Sequence, residues 1–370
     1  MGKRELLLVV GFLLLGAIVY QASAPPPAPG ETGFSFSRIA DHFRRGFRAN
    51  RASVETTTTT HHPVTAEATS LRVFSRNGAL TIVGEDRADI EAEILVRSNG
   101  EDDAEAKRLA AATHVEIETT GAELAARIEY PVEGTQRTLR LTLKVPTRLR
   151  VTLQESGSPL SVAGIEALEL SGSRGEARIR DIREAVTGAH RNGDLTVSDA
   201  GAVELELSGS DARLQRIRGD IAVKIRGGEL RAGDLGGAVE VDSQGSDVTL
   251  DQLRRARGLL SVTAVGGSVS IADLHTEARL DVRNAEVRID AAAAAPLTIR
   301  SEGEGSVEVT PAAGGFELDA TTSGGDLTVP SGGLTPTVNG DAHHAAGPVR
   351  GGGPLLRIRT ARADIVIRER

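Results

Sequence analysis

From about Val64 to the C-terminus, apolar and polar residues alternate in short runs, and the runs end in glycine beside Ser, Asn or Asp. A period of two marks strands with one buried face. RNGDLTV at 191–197 has close relatives: SQGSDVTL ending at Leu250, SGGDLTV ending at Val329 and RNGALTI ending at Ile82. The first apolar residue after each turn falls at Leu160, Ala177, Leu195, Ala212, Leu230, Val248, Val269, Val287, Val307 and Leu327. Successive spacings are 17, 18, 17, 18, 18, 21, 18, 20 and 20 residues, with isolated copies at Leu80 and Ile365. The residue seven places upstream is usually apolar too, as at Val73, Leu153, Leu170, Leu205, Val223, Val241, Val262, Leu280, Ala320 and Ile358. Each unit is therefore two short strands joined by a tight turn.

A period near 18 sustained over ten units predicts an all-β fold, a single-stranded β-helix (β-solenoid) of two-strand coils wound in the right-handed sense. One unit has too few inward side chains to bury them alone. Stacked units share one continuous column, each strand pairing with its counterpart one coil away. Glycine and Asn recur because the same corner demands positive φ in every coil. An antiparallel sandwich of hairpins also gives even strand spacing and is the rival reading. The near-constant unit length between 160 and 327 favours the stacked coil.

Residues 64–150 depart from the period and are expected to form an irregular β capping region. It carries one helix, at 98–114 (SNGEDDAEAKRLAAATH), acidic at its start and basic further on, as the helix dipole favours. Residues 151–370 hold the repeats. The Gly-rich segment 331–354 is expected to be a long loop before the final unit, RIRTARADIVI.

The N-terminus has another character. Lys3 and Arg4 precede an apolar run, Leu6 to Tyr20, and the small triplet Ala22-Ser23-Ala24. That is the layout of a secretory signal peptide, although Pro25 is a poor context for cleavage. Residues 1–24 are long enough to span a bilayer, so an uncleaved transmembrane anchor is expected ahead of a cleaved signal. Lys3 and Arg4 place the N-terminus in the cytoplasm and the bulk outside it, against Arg38, Arg44, Arg45 and Arg48 further along. A buried core helix is the bland alternative. Residues 25–63 follow as a Pro-rich spacer, a basic amphipathic helix with Phe36, Ile39, Phe43 and Phe47 on one stripe, and a Thr-rich linker, ETTTTTHHP. Such a helix suits a membrane surface or a partner's groove, or packs on the folded domain as a cap.

Composition removes several functions. There is no Cys, so disulfides and thiolate sites are excluded. A net charge of −8 argues against a nucleic-acid partner. With 2% aromatics and no Trp, the platforms of a sugar-processing cleft are missing, and outside the anchor only Tyr130 remains among the tyrosines. Asp194, Asp211, Asp220, Asp234 and Asp247 recur at turns, where Asx side chains bonding their own backbone explain them better than acid–base work. His61-His62 and His343-His344 are the metal candidates. Neighbouring histidines point apart on a strand, and both pairs are expected in solvated spacer or loop. No phosphate loop, dinucleotide fingerprint or nucleophile elbow is present. No catalytic, metal or cofactor site is therefore assigned. The outward faces, with Glu204, Glu206, Arg213 and Lys224, form charged ladders that are either solvated or suited to multivalent contact.

The order of LRVFSRNGALTIVGED, then LRLTLKVPTRLRVTLQESGSPLSV, then serial SGS/NGD/GGDLTV units and a closing RTARADIVI resembles the adhesin-like β-solenoid (Toastrack-like) family of bacterial envelope proteins, over residues 64–370. Val145-Pro146 followed by Ser156-Gly157 matches its strand-and-turn signature. The resemblance implies a membrane-tethered, extracytoplasmic β-helical domain and brings no catalytic residues. Arg216, Arg218, Arg254, Arg255 and Arg257 depart from the family's Ser, Gly and Asp turns. The expected function is a non-enzymatic scaffold or adhesin-like module of the bacterial envelope, held by its N-terminal helix in the membrane. Its expected partner is an envelope protein or polysaccharide. The alternative is the sensor arm of an envelope-stress system.

Overall fold

The computed structural model describes residues 52–75, 78–100, 102–129, 137–154, 159–330 and 334–369. The anchor, the Pro-rich spacer and the Phe-striped helix lie outside them, as do Tyr130, Ser156 and Gly157. Among the described residues no helix is long and apolar enough to cross a membrane.

The described chain is all-β: twenty-five strands in one sheet, with a single α-helix and one 3-10 turn. Pairing between repeat units is parallel, which removes the antiparallel sandwich. Val203 faces Ile221, which faces Val239. Along the second strand of each unit Ala212, Leu230, Val248, Val269, Val287 and Val307 follow one another in register. All the positions marked by the repeat are buried, from Leu160 at 1% exposed to Leu327 at 8%. A hydrocarbon column of this kind stabilises by about 1.5–3 kcal/mol per fully buried aliphatic side chain. The core is Val, Leu, Ile and Ala, with Phe316 the one buried aromatic among the described residues.

The order of the units in space differs from their order in sequence at both ends. The final unit does not follow the one before it. Ile365 pairs with Val307 on one side and Leu327 on the other, and Ile358 sits between Ile299 and Ala320. At the opposite end Leu80 lies between Leu141 and Leu160, so part of the expected capping region, Ser70–Phe74 and Ala79–Glu85, is a regular member of the stack. There Gly84 approaches Gly164 so closely that a Cβ on Gly84 would stand 1.8 Å from the Gly164 carbonyl oxygen.

Antiparallel strands cover both ends. Arg137–Pro146 pairs with Asp89–Gly100, and that strand with Ala52–Pro63. At the C-terminal side Phe316–Ser323 pairs with Ala342–Val349, which pairs in turn with Thr337–Asn339. The parallel stack would otherwise expose rows of unpaired backbone groups.

Three expectations are corrected here. The Thr-rich linker is a strand: its β-branched residues favour extended backbone, and Asp89–Gly100 supplies a partner along its length. The Gly-rich loop at 331–354 contains the covering hairpin strands. The helix is shorter than 98–114, running Asp103–Ala111, because Ser98–Gly100 completes a strand. Asp102 caps it by accepting the Glu105 N–H at 2.8 Å, a bond of the kind worth about 1 kcal/mol. Ala106, Leu109 and Ala110 are its buried face.

Candidate functional site

The residues singled out by sequence are spread along the stack. Asp211 accepts the Glu229 N–H at 2.9 Å, Asp220 the Ala238 N–H at 2.9 Å, and Asp247 the Ser268 N–H at 3.0 Å. These carboxylates bracket one unit to the next, not to their own turns. Where strands diverge at a corner a backbone N–H loses its ladder partner, and a side chain from the preceding repeat unit is the acceptor within reach. Asp194 is exposed and does not converge with them. His61 contacts Asp89 at 2.8 Å and His62 contacts Thr119 at 2.9 Å, both from a strand and not from a spacer. His344 lies 3.7 Å from Asp319, and His343 stands beside it on Ala342–Val349. Among the described residues no cluster of three donors could hold a metal ion. Glu206 faces Lys224 across neighbouring strands, whereas Arg213 faces Arg231.

Arg87 bonds Glu85, Asp89 and Glu91, and Lys144 bonds Glu91 from the neighbouring strand. The Arg87 guanidinium, helped by His61, holds the Asp89 carboxyl down at about 2. Every member of this network is occupied by another, so it fastens the strands at the covered N-terminal end.

A different corner concentrates positive charge in excess of its carboxylate partners. Six successive units place a non-glycine residue at positive φ: Asp181, Asp199, Arg216, Asp234, Gln252 and Asp273, with φ between 52° and 59°. Aspartate tolerates this region; arginine and glutamine have no such local compensation. Arg216 is held there by Asp199, with Nε to Oδ1 and Nη2 to Oδ2 both at 2.7 Å. That fork lowers the Asp199 pKa and raises that of Arg216.

The unit starting at Val239 is three residues longer than those before it, since Val239 pairs with Leu260, 21 positions on. The extra residues form a 3-10 turn, Leu253–Arg255. Leu253 is fully buried and anchors the turn, which leaves Arg254, Arg255 and Arg257 exposed at the rim. Together with Arg216 and Arg218 they line an open groove of about 660 Å³, whose remaining lining includes Ile217, Asp234, Gly236 and Ala256. Arg254 pairs with Asp273 at 2.8 Å and Arg255 with Asp234 at 3.5 Å, both from side chains 77% exposed. Burial acts to raise the Asp273 pKa, but hydrogen bonds from His275 and Arg254 outweigh it and leave it lowered. Arg218 donates to the Ile182 and Arg183 carbonyls at 3.3 and 3.0 Å. Arg257 has no side-chain partner among the described residues.

The five arginines were visible in sequence only as departures from a pattern. What gathers them is the register, and the 21-residue spacing was the signal that the corner is enlarged. The Asp199–Arg216 pair was missed because its partners lie one repeat apart.

No family model matches the chain, and no curated protein matches it. Among solved structures, the chain is similar to a candidate cell adhesion protein from Clostridium sporogenes at 10% identity and a TM-score of 0.20, over 86% of this chain and all of that one. It is similar to a candidate adhesin from Parabacteroides distasonis at 11% identity and 0.31, covering 68% and 96%. A candidate adhesin from Bacteroides fragilis aligns at 9% identity and 0.26, covering 85% and 97%. At these identities and scores the likenesses assign neither family nor function.

Proposed function

We propose that the chain is a non-enzymatic β-solenoid of the bacterial envelope that acts by multivalent surface contact, in an adhesin-like or scaffolding role. The observation that carries this is the register. Equivalent outward residues, such as Arg213, Arg231, Thr249, Ser270 and Arg288, recur on adjacent strands at about 4.8 Å. That is a regular lattice of side chains, suited to a polymer or a repetitive protein surface. Asp211, Asp220 and Asp247 serve as brackets between neighbouring strands and the acids around Arg87 are held in ion pairs, which supports a binding role. Residues 1–24 supply the tether in this proposal, supported by the Leu6–Tyr20 apolar run and the preceding Lys3 and Arg4.

The test is crosslinking of the full chain in its native cell, with a photoreactive residue in place of Arg213 or Thr249. Capture of envelope glycan or an envelope protein at both positions is expected. No adduct at either position in intact cells would overturn the reading.

A further inference from the structure

We propose that the groove formed by Arg216, Arg218, Arg254, Arg255 and Arg257 binds the oxyanion substituents, carboxylate or sulfate, of an acidic polysaccharide. The proposal deepens the reading of the chain as an interaction module and rests on it.

The local charge is the first reason. The chain carries a net charge of −8, yet five guanidiniums here meet four carboxylates, Asp199, Asp234 and Asp273 as ion pairs and Asp181 acting on Arg216 at longer range. Guanidinium is the group that matches a carboxylate or sulfate with paired donors. One arginine has no acceptor among the described residues and two others are held by exposed contacts, so an incoming anion meets donors with little to displace.

The build of the corner is the second reason. A non-aspartate residue, Arg216, is kept at a φ of 54° by a two-pronged ion pair, and strained backbone of this kind collects at ligand clamps. The lengthened unit spends its extra residues on a turn rooted by Leu253 that presents Arg254, Arg255 and Arg257. Between the two arginine groups the middle unit contributes Gly236, where a Cβ would stand 2.5 Å from the Arg218 carbonyl oxygen. The arginines on either side are two rungs apart, about 10 Å at strand spacing. The groove therefore offers two cationic rims across a middle rung that contributes Asp234, paired with Arg255, and the bare backbone of Gly236, a spacing fitted to anionic groups repeated along a chain.

The lining also selects among polyanions. It contains no aromatic ring on which a nucleic-acid base could stack. Its aliphatic members are Ile217, which is buried, and Ala256, too little to enter a lipid surface. The strands behind it are paired on both sides, so no open edge is present to add a peptide strand. A polar polymer with regular charges remains.

The experiment measures binding of the full chain in detergent to polygalacturonate, dextran sulfate, neutral dextran, inorganic phosphate and a single-stranded oligonucleotide, at two salt concentrations. Both acidic glycans are expected to bind, more weakly at high salt, and neutral dextran is not. The triple variant Arg254→Gln, Arg255→Gln, Arg257→Gln is expected to lose at least about tenfold in affinity, the conversion of ~1.4 kcal/mol. Arg257→Gln alone, which breaks no internal contact, should lose a few-fold with an unchanged melting temperature. Lys107→Gln, on the exposed side of the helix Asp103–Ala111 and away from both the groove and the outward ladder, should bind as the native chain does. Unchanged binding by the triple variant sinks the groove and leaves the module reading standing, whereas failed crosslinking in cells sinks the module reading. Tighter binding of the oligonucleotide than of either glycan, or of free phosphate as tightly as the polymers, would also overturn the proposal.

Discussion

Asp199 and Arg216, 17 residues apart, face each other across one rung of the stack through two parallel hydrogen bonds of 2.7 Å. The pair is the repeat written in charge: its partners occupy equivalent positions of neighbouring repeat units. The Asp199 pKa is lowered, chiefly by the Arg216 hydrogen bond. A carboxyl lowered in the folded state contributes stability above its unfolded value, about 3.9, and loses it as pH falls through the folded one. Asp199→Asn is therefore expected to lower the Tm modestly at neutral pH and to flatten the acid limb below about pH 4, where the two Tm curves converge.

His190 predicts a pH effect in a higher window. It is fully buried beside Ser173, whose hydroxyl lies 3.0 Å from Nδ1, and Nε2 has no hydrogen-bond partner. Desolvation lowers its pKa against the opposing pull of the Gly175 and Gly193 backbone and of Asp194. A base lowered in the folded state gives full stability above its unfolded value, about 6.5, and loses it as pH falls below that, since the unfolded chain takes up the proton first. The fall in Tm between pH 7 and pH 5 should be shallower in His190→Gln than in the native protein.

Val248 is 1% exposed, between Leu230 and Val269. Val248→Asp leaves an unpaired charge in the aliphatic column and is expected to cost several kcal/mol, read as a large drop in Tm. An unchanged Tm would place the inward register on the wrong residues.

Absence of cysteine makes distance measurement direct. Arg213 and Arg288 are four pairings apart along one face, about 19 Å at strand spacing. Spin labels on Arg213→Cys and Arg288→Cys should report that backbone separation, lengthened only by the label arms.

Ile365, fully buried, and Ile367, 2% exposed, lie within the stack and not at its end. Ile365→Ala is expected to cost about 2–5 kcal/mol in urea denaturation. Deleting residues 355–370 should expose 297–330 to protease.

The inward faces were legible because alternation with period two states which side of a strand is buried, and Leu80 and Ile365 carried that mark even as isolated copies. Their neighbours were not legible. A parallel rung shows the same pattern whichever rung lies beside it, so nothing in RIRTARADIVI says that it enters between 297–310 and 316–328. The Thr run at 56–60 was misread because polarity suggested solvent while β-branching set the backbone. The arginine corner was half legible: its residues stood out, but only the Asp199–Arg216 and Asp234–Arg255 pairings show that they share one place.

The insertion of Leu355–Ala361 and Asp364–Ile367 between earlier units sets a condition on how the protein is made. Synthesis delivers those strands after the segments on both their sides have been made. The stack cannot close here by adding strands in the order of translation, and its neighbours must wait apart until residues 355–367 arrive to join them.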